Sequence, residues 1–504
     1  MVTVESYSCA NRKAIARGRI REVSSEIFRV GLSLRARSLG RAVPAAATVR
    51  TPIHQEAIGI VGVAMAGERT GIWGASLGKI RRGSPKVFTV GDAREVADQA
   101  DLWRKMAKVL STAGEEPQLV FPNRQCARLF AESAHRFCYD QDAEIAAAAE
   151  LVWWCCTRRE IPGSHAAVVL TEALTEQWAV GEDGCDTDDL RIALAWIGAD
   201  GPDSLVTLRD EALAAFGDPK TSLEFDDALW PKVDRREAER RARAARSDVE
   251  ASEQERRRAK ADVDRQAKNR ATVVSAALRP PLKEAWGRLL QGCAILQSSQ
   301  LPRLGHLDQF CTATQVSWNR ELQRRERGYS MARKDSARQG AMGLAEAEVA
   351  TELWEGTLIW GDEMAKAEAI AGGKVLSGTV AESDAGGLTV AISSGAVRAR
   401  VGDILVLVAD EDEISVEVGD ISSAGDKVTI SLSWEGMRVI EDGADVTLWP
   451  PRPDFGRRYL GWLMARMADK HWALGDKESV PPERRETAKV VADPLAAALA
   501  LRTP

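Results

Sequence analysis

Residues 234–278 read DRREAERRARAARSDVEASEQERRRAKADVDRQAKNRATVVSAAL, and this stretch sets the expected architecture. Small or apolar side chains fall at Ala238, Ala242, Ala245, Val249, Ala259, Val263, Val273 and Ala277 in a four-three alternation, the heptad seam of an α-helix. The seam is narrow and rich in alanine, and Ser252, Arg256, Gln266 and Arg270 interrupt it. Each alanine methyl contributes only about 0.8 kcal/mol on burial, so such a helix needs a partner yet stays wet on most sides. Residues 234–270 hold 13 Lys/Arg against 9 Asp/Glu, which suits either a solvated, salt-bridged face or an edge that follows phosphates. Pro280-Pro281 predicts the end of this helix, because proline lacks the N–H donor and restricts the residue before it.

Beyond the prolines, LKEAWGRLLQGCAILQSS (282–299) has the spacing of an ordinary amphipathic helix, and a long helical stretch from about Thr312 to Ala371 is the expected antiparallel partner of 234–278. Its early part, SWNRELQRRERGYSMARKDSARQ, holds Arg320, Arg324, Arg325, Arg327, Arg333 and Arg338, the strongest local basic cluster of the chain. Trp318 and Tyr329 lie among them, which allows stacking on bases; packing of Trp318 into a core is the competing reading. Short strands then follow at 374–382, 388–392, 397–401, 404–408, 414–418, 428–432 and 444–450, separated by Gly, Asp and Ser turns. Strands of this length and spacing favour a small antiparallel β-barrel. Arg398 and Arg400 alternate along the third of these strands and would share one face. Residues 455–468 read as one more amphipathic helix, with Tyr459, Trp462, Leu463 and Met467 on one side.

The first third of the chain reads as α/β. The apolar runs AIGIVGVAMA (57–66) and TGIWGA (70–75) suit a hairpin, 86–90 a third strand, and Asp92 an N-cap for the helix that follows it. A strand at 118–121, helices over 124–137 and 144–159, a strand in HAAVVL (165–170) and a helix from Thr171 complete the order. Three strands, helix, strand, helices, strand, helix is similar to the ribonuclease-H-like arrangement over roughly 55–180, beside the plainer reading of a generic α/β domain. That family holds two metal ions with carboxylates on the first strand, first helix, fourth strand and last helix. Here the first strand carries none, Pro122-Asn123 follows Phe121, and Asp98, Asp101 and Glu172 are scattered. The resemblance therefore implies an inactive nuclease site; an active one would work through Asp101 and Glu172.

With 504 residues, about three domains are expected. The net charge of −6 provides no broad positive field, so any nucleic-acid contact must come from local patches. The eight cysteines form no C-x-x-C pair and read as buried small hydrophobes in a reducing cytoplasm. The five histidines lack ligand spacing, so neither a metal ion nor another cofactor is expected. No apolar run reaches the ~18–20 residues that span a bilayer, and the N-terminus lacks a secretory pattern, so a cytoplasmic chain with no membrane partner is expected.

The later two-thirds resemble superfamily 1B helicases of the nonsense-mediated-decay type, which insert two stalk helices and a β-barrel before the first motor domain. Gly378-Thr379-Val380, Gly402-Asp403-Ile404 and Arg458-Tyr459…Met464-Ala465-Arg466-Met467 follow the order of that family's barrel and returning helix across about 234–475. The family's phosphate loop, G-x-x-x-x-G-K-[ST], has no match: Gly78-Lys79 precedes Ile80 and Gly373-Lys374 precedes Val375. The resemblance implies an α+β multidomain chain: an N-terminal α/β domain (1–181), an acidic connector or small helical subdomain around one short helix (182–232), a coiled-coil-like antiparallel helical stalk (233–372), a small antiparallel barrel at its tip (373–450), a returning helix (451–475) and a tail (476–504). The expected function is a non-catalytic accessory region of a helicase-like machine, contacting single-stranded nucleic acid through Arg320, Arg324, Arg325, Arg327, Arg333, Arg338, Arg398 and Arg400. Its motor would lie on a separate chain or in a longer product. The alternative is a coiled-coil scaffold without nucleic-acid binding.

Overall fold

Helix α1 (28–39) and the two-residue strand β1 (Val43–Pro44) lead into the expected hairpin of β2 (Ile58–Ala64) and β3 (Ile72–Lys79). The computed structural model describes residues 28–66, 70–182, 188–215, 253–331, 337–384, 387–393, 397–409, 412–424, 427–433 and 440–453. Strand β4 (Lys86–Thr89) adds antiparallel to β3. After helix α2 (Val96–Leu110), strand β5 (Leu119–Phe121) pairs parallel to β2. Helices α3 (Arg124–Phe137) and α4 (Ala143–Arg158) then cross to β6 (Ala167–Val169), parallel to β5. The five-stranded sheet has the order β4-β3-β2-β5-β6. Every residue of β2 is buried, as a continuous apolar run predicts for a central strand. Its glycines admit helices on both faces: a Cβ on Gly59 would lie 2.8 Å from the Trp286 ring, and one on Gly62 would lie 2.6 Å from Phe130.

Asp92 does not cap α2, which starts at Val96. It closes a turn instead: its Oδ1 accepts the Arg94 N–H at 3.0 Å, and its own N–H donates to Asp98 Oδ2 at 2.7 Å. Helix α5 (Leu170–Gln177) and strand β7 (Trp178–Ala179), which pairs with β1, follow the sheet. The described residues of the connector hold two helices, α6 (Leu190–Gly198) and α7 (Pro202–Ala214), where one was expected. Trp196, Ile192 and Leu205 pack with Ala36 and Val43 in a second small core.

The largest departure from expectation is helix α8 (Glu253–Gln297), which runs straight through Pro280 and Pro281. Its buried hydrophobic side chains are Val274, Leu278, Leu282, Trp286, Leu289, Cys293 and Leu296, one stripe at helical spacing packed into the core of the sheet. An internal proline costs about 3 kcal/mol, whereas each large side chain of this stripe contributes ~1.5–3 kcal/mol on burial, so packing outweighs the two lost donors. Val273 and Ala277 of the expected seam are exposed, and the sheet covers the adjacent stripe that begins at Val274 and Leu278. Before Val274 no described position of α8 is buried, and 253–273 extends about 30 Å at 1.5 Å per residue. The expected helical stretch 312–371 is divided into α9 (Leu307–Glu326), α10 (Ala337–Gly361) and α11 (Glu363–Ala371).

The barrel is present. Strands β8 (Leu376–Ser383), β9 (Gly387–Ile392), β10 (Ile404–Ala409), β11 (Asp412–Ala424), β12 (Lys427–Ser433) and β13 (Asp445–Trp449) close in the order β10-β11-β12-β9-β8-β13, with every pair antiparallel. Val380, Val390, Leu407, Val418, Ile430 and Leu448 fill it from alternate positions. A Cβ on Gly378 would lie 2.4 Å from the Ala391 carbonyl oxygen, so the glycine of Gly-x-Val is needed for close strand approach. Residues 397–401 are not the expected strand. Gly402 takes φ 87°, the Arg398 N–H donates to Gly373 O, and the Arg400 N–H donates to Asp403 Oδ2, so this segment is a loop. The expected returning helix and tail, and residues 234–252 of the expected stalk, lie outside the described residues.

Asp362 joins the helices beneath the barrel to the N-terminal body. One oxygen caps α11 by accepting the Met364 and Ala365 N–H groups, each at 3.0 Å. The other accepts the Ala47 and Thr48 N–H groups at 3.0 and 2.9 Å and the Thr48 hydroxyl at 2.6 Å. Arg50 Nη2 lies 3.0 Å from Oδ1. Burial alone would raise this carboxyl, but hydrogen bonds from Arg50 and Thr48 and the charge of Arg50 outweigh it and hold it below its ordinary range. Closer to the barrel, Trp360 stacks on Trp449 at 4.3 Å, with the Arg452 guanidinium 4.1 Å from the first ring and Lys366 Nζ 4.7 Å from the second.

Asp362→Ala leaves Arg50 buried without its partner, and urea unfolding is expected to register a loss of about 3–5 kcal/mol. Because the folded carboxyl lies below its unfolded value of about 3.9, its contribution is complete above that pH and fades as pH falls through the folded pKa. The variant should therefore lose stability less steeply than wild type below about pH 4.

Candidate functional site

The carboxyl ends of β5 and β6 are where an open α/β sheet binds ligands, and where the nuclease resemblance implies metal-binding carboxylates. Asn123, 5% exposed, follows β5 and caps α3 by accepting the Cys126 N–H at 2.8 Å. On α5, Glu172 sits between Arg124 at 2.7 Å and Arg159 at 2.9 Å, while Asp188 accepts the Arg124 N–H and the Thr171 hydroxyl. Asp101 pairs with Arg104 and Lys105 along α2, away from Glu172 in its interactions. Asp98 is engaged in the turn around Asp92. Two guanidiniums on Glu172 make an ion-pair cluster, not an open ligand set, and among the described residues no group of three or more His, Cys, Asp or Glu side chains could hold a metal ion.

The basic cluster at the end of α9 is only partly free. Trp318 is 7% exposed and packs on Trp154 at 4.8 Å, so it belongs to the core. Arg324 Nη1 donates to both carboxylate oxygens of Glu321, at 2.8 and 3.0 Å, and Arg325 lies 3.1 Å from the buried Glu150 of α4. Arg320 and Arg327 are exposed, and neither guanidinium has a partner among the described residues; Tyr329 beside them is 48% exposed. Arg333 and the side chain of Arg338 lie outside the described residues. On the barrel, Arg400 projects from the loop with no side-chain partner among the described residues, while Arg398 is half-buried. The two do not share a strand face, because there is no strand.

A feature that sequence reading missed is a cleft along α10. Three adjoining cavities of about 310, 340 and 550 Å³ lead from the edge of β6 to the barrel. Glu176 and Trp354 line both the first and second, and Lys374 and Arg398 both the second and third. Most lining charges are compensated: Arg29 bonds Glu368 at 2.8 Å, Lys374 bonds Glu355 at 2.5 Å, and Arg452 pairs with Glu413. The sequence signal for it was weak: Trp354 and Trp360 in TELWEGTLIWGDE are six residues apart, a spacing that puts them on different sides of a helix.

Near the cleft, Cys311 Sγ lies 3.8 Å from His54 Nε2. Burial pushes the Cys311 thiol up to about 11 and lowers His54, so the pair rests as thiol and neutral imidazole and lacks the thiolate of a nucleophile. Cys126, Cys138, Cys156 and Cys293 are pushed up to about 12 by burial. No helix among the described residues is long and apolar enough to cross a membrane. No family model, no curated protein and no solved structure matches this chain.

His165 is 4% exposed and burial lowers it to about 3, with His54 and Arg303 adding to the effect. Since the unfolded imidazole titrates near pH 6.5, the unfolded chain takes up a proton between about pH 6.5 and 3 that the folded chain refuses, and stability falls with acidification across that window. NMR titration should find the His165 ring neutral from pH 8 to 5. His165→Asn should flatten the acid limb of the stability profile.

Proposed function

We propose that this protein is a non-catalytic, nucleic-acid-contacting accessory part of a helicase-like machine, whose motor is supplied by another polypeptide segment. The supporting observation is a closed six-stranded barrel joined to α10 and α11, with Arg400 exposed on its loop and Arg320 and Arg327 exposed on α9, all without carboxylate partners among the described residues. Guanidiniums in that state contact phosphates without losing an internal ion pair, and contacts of this type position a strand without reading its sequence. Glu172 held between two arginines and the missing phosphate loop support the non-catalytic part of the reading. The order of strands and helices over 58–177 supports a ribonuclease-H-like ancestry for the N-terminal domain. A long helical arm is supported by the first part of α8, in which no described position before Val274 is buried.

That part of α8 also favours the second reading, a scaffold that pairs through this helix. Binding of the full chain to single-stranded DNA or RNA separates the two. Under the first, affinity falls steeply with salt, and Arg320→Ala, Arg327→Ala and Arg400→Ala each reduce the log–log salt slope by about 0.7. Absence of binding at low salt, together with a stable dimer in sedimentation, would reject it in favour of the scaffold.

A further inference from the structure

Helix α9 ends in a turn that is fixed at every point except the ring it carries. Gly328 takes φ 83° and donates its N–H to Arg325 O at 2.8 Å, while the Tyr329 N–H donates to Arg324 O at 3.1 Å. These two bonds form a Schellman motif, which satisfies carbonyls that a helix otherwise leaves open at its negative end. Glu150 of α4, 4% exposed, ties down both flanks of the turn. Arg325 lies 3.1 Å from one of its oxygens, and the Met331 N–H donates to the other at 3.2 Å. The Met331 side chain then packs against the core. Between these anchors Tyr329 stays 48% exposed, and neither its ring nor its hydroxyl has a partner among the described residues. A large aromatic side chain is usually spent on burial; here a pinned backbone holds one in solvent.

We propose that Tyr329 is a stacking platform for an unpaired nucleobase, with Arg320 and Arg327 holding the phosphates that flank it. This rests on the nucleic-acid reading above and narrows its ligand to a single strand, because a base inside a duplex has both faces covered by its neighbours. Arg320 and Arg327 are seven residues apart, so they lie on one face of α9 about 10 Å from each other along its axis. Both are exposed, whereas Arg324 and Arg325 between them are taken up by Glu321 and Glu150. Against them stands Glu326, the exposed carboxylate at this end of the helix, which leaves the pair of guanidiniums in excess. Every base offers a π-face, so such a contact tolerates any sequence. The fixed turn needs no ordering of its backbone on binding, which removes one cost of association. Trp318, the other aromatic side chain of this stretch, is packed on Trp154 and leaves the role to Tyr329.

Fluorescence anisotropy of the full chain at low salt, with labelled oligothymidylate and an abasic oligomer of the same length, tests the platform. Wild type should bind the oligothymidylate about tenfold more tightly than the abasic strand. Tyr329→Ala should erase that preference while leaving abasic affinity and the salt slope unchanged. Tyr329→Phe should keep the preference, since stacking needs the ring and not the hydroxyl. The Tyr329 N–H that closes the turn survives in both variants, and circular dichroism checks that both fold. Equal affinity of wild type for the two strands would overturn the proposal, and so would a Tyr329→Ala that weakens both strands by one factor or neither. A Tyr329→Phe as weak as Tyr329→Ala would assign the contact to the hydroxyl and overturn it too. Equal but steeply salt-dependent binding of both strands leaves the broader nucleic-acid reading intact, whereas no binding of either strand overturns both.

Discussion

With 2% of its surface exposed, Asp362 holds a carboxylate against segment 47–50 while capping the helix that leads into the barrel. Backbone donors from two distant stretches of chain, one hydroxyl and one guanidinium converge on it, so its charge is met on every side. A buried ion of this kind adds little net stability compared with an apolar contact of the same size, but it tolerates very few geometries. That intolerance sets how α10 and α11 meet the N-terminal body, and through them where the barrel stands. The Trp360–Trp449 stack, with a cation at each end, carries the same constraint from helix to barrel.

The long helix shows how global packing overrides a local rule. Two successive prolines are a strong stop signal, and they remove donors that the carbonyls of Ala276 and Ala277 would use. Yet Leu278 and Leu282, on either side of them, are fully buried on the sheet. Ending the helix would move the whole stripe from Leu282 to Leu296 out of register with that surface. From Val274 onward large side chains recur along one face, and they hold the helix on the sheet.

Much of the fold was legible because it is written in periodicity. The unbroken apolar runs of β2 and β3 and the alternation through 374–450 reflect backbone geometry, which acts over a few residues. The misread strand at 397–401 shows the limit. Val-Arg-Ala-Arg-Val alternates like a strand, but the N–H of Arg398 bonds to Gly373 and the left-handed Gly402 turns the chain away from a ladder. The basic cluster shows another. The pairing of Arg324 with Glu321 is visible at helical spacing, whereas that of Arg325 with Glu150 joins helices far apart in the chain.

Composition and spacing alone determined that this chain forms an α/β body, long helices and a small closed sheet, because hydrogen-bonding period and turn chemistry are local properties. Tertiary structure alone decided which face of α8 is buried, which arginines remain unpaired, and that Glu176 and His165 line one cavity. Ion pairing and burial depend on distances in space of a few ångströms, and these bear no fixed relation to separation along the chain.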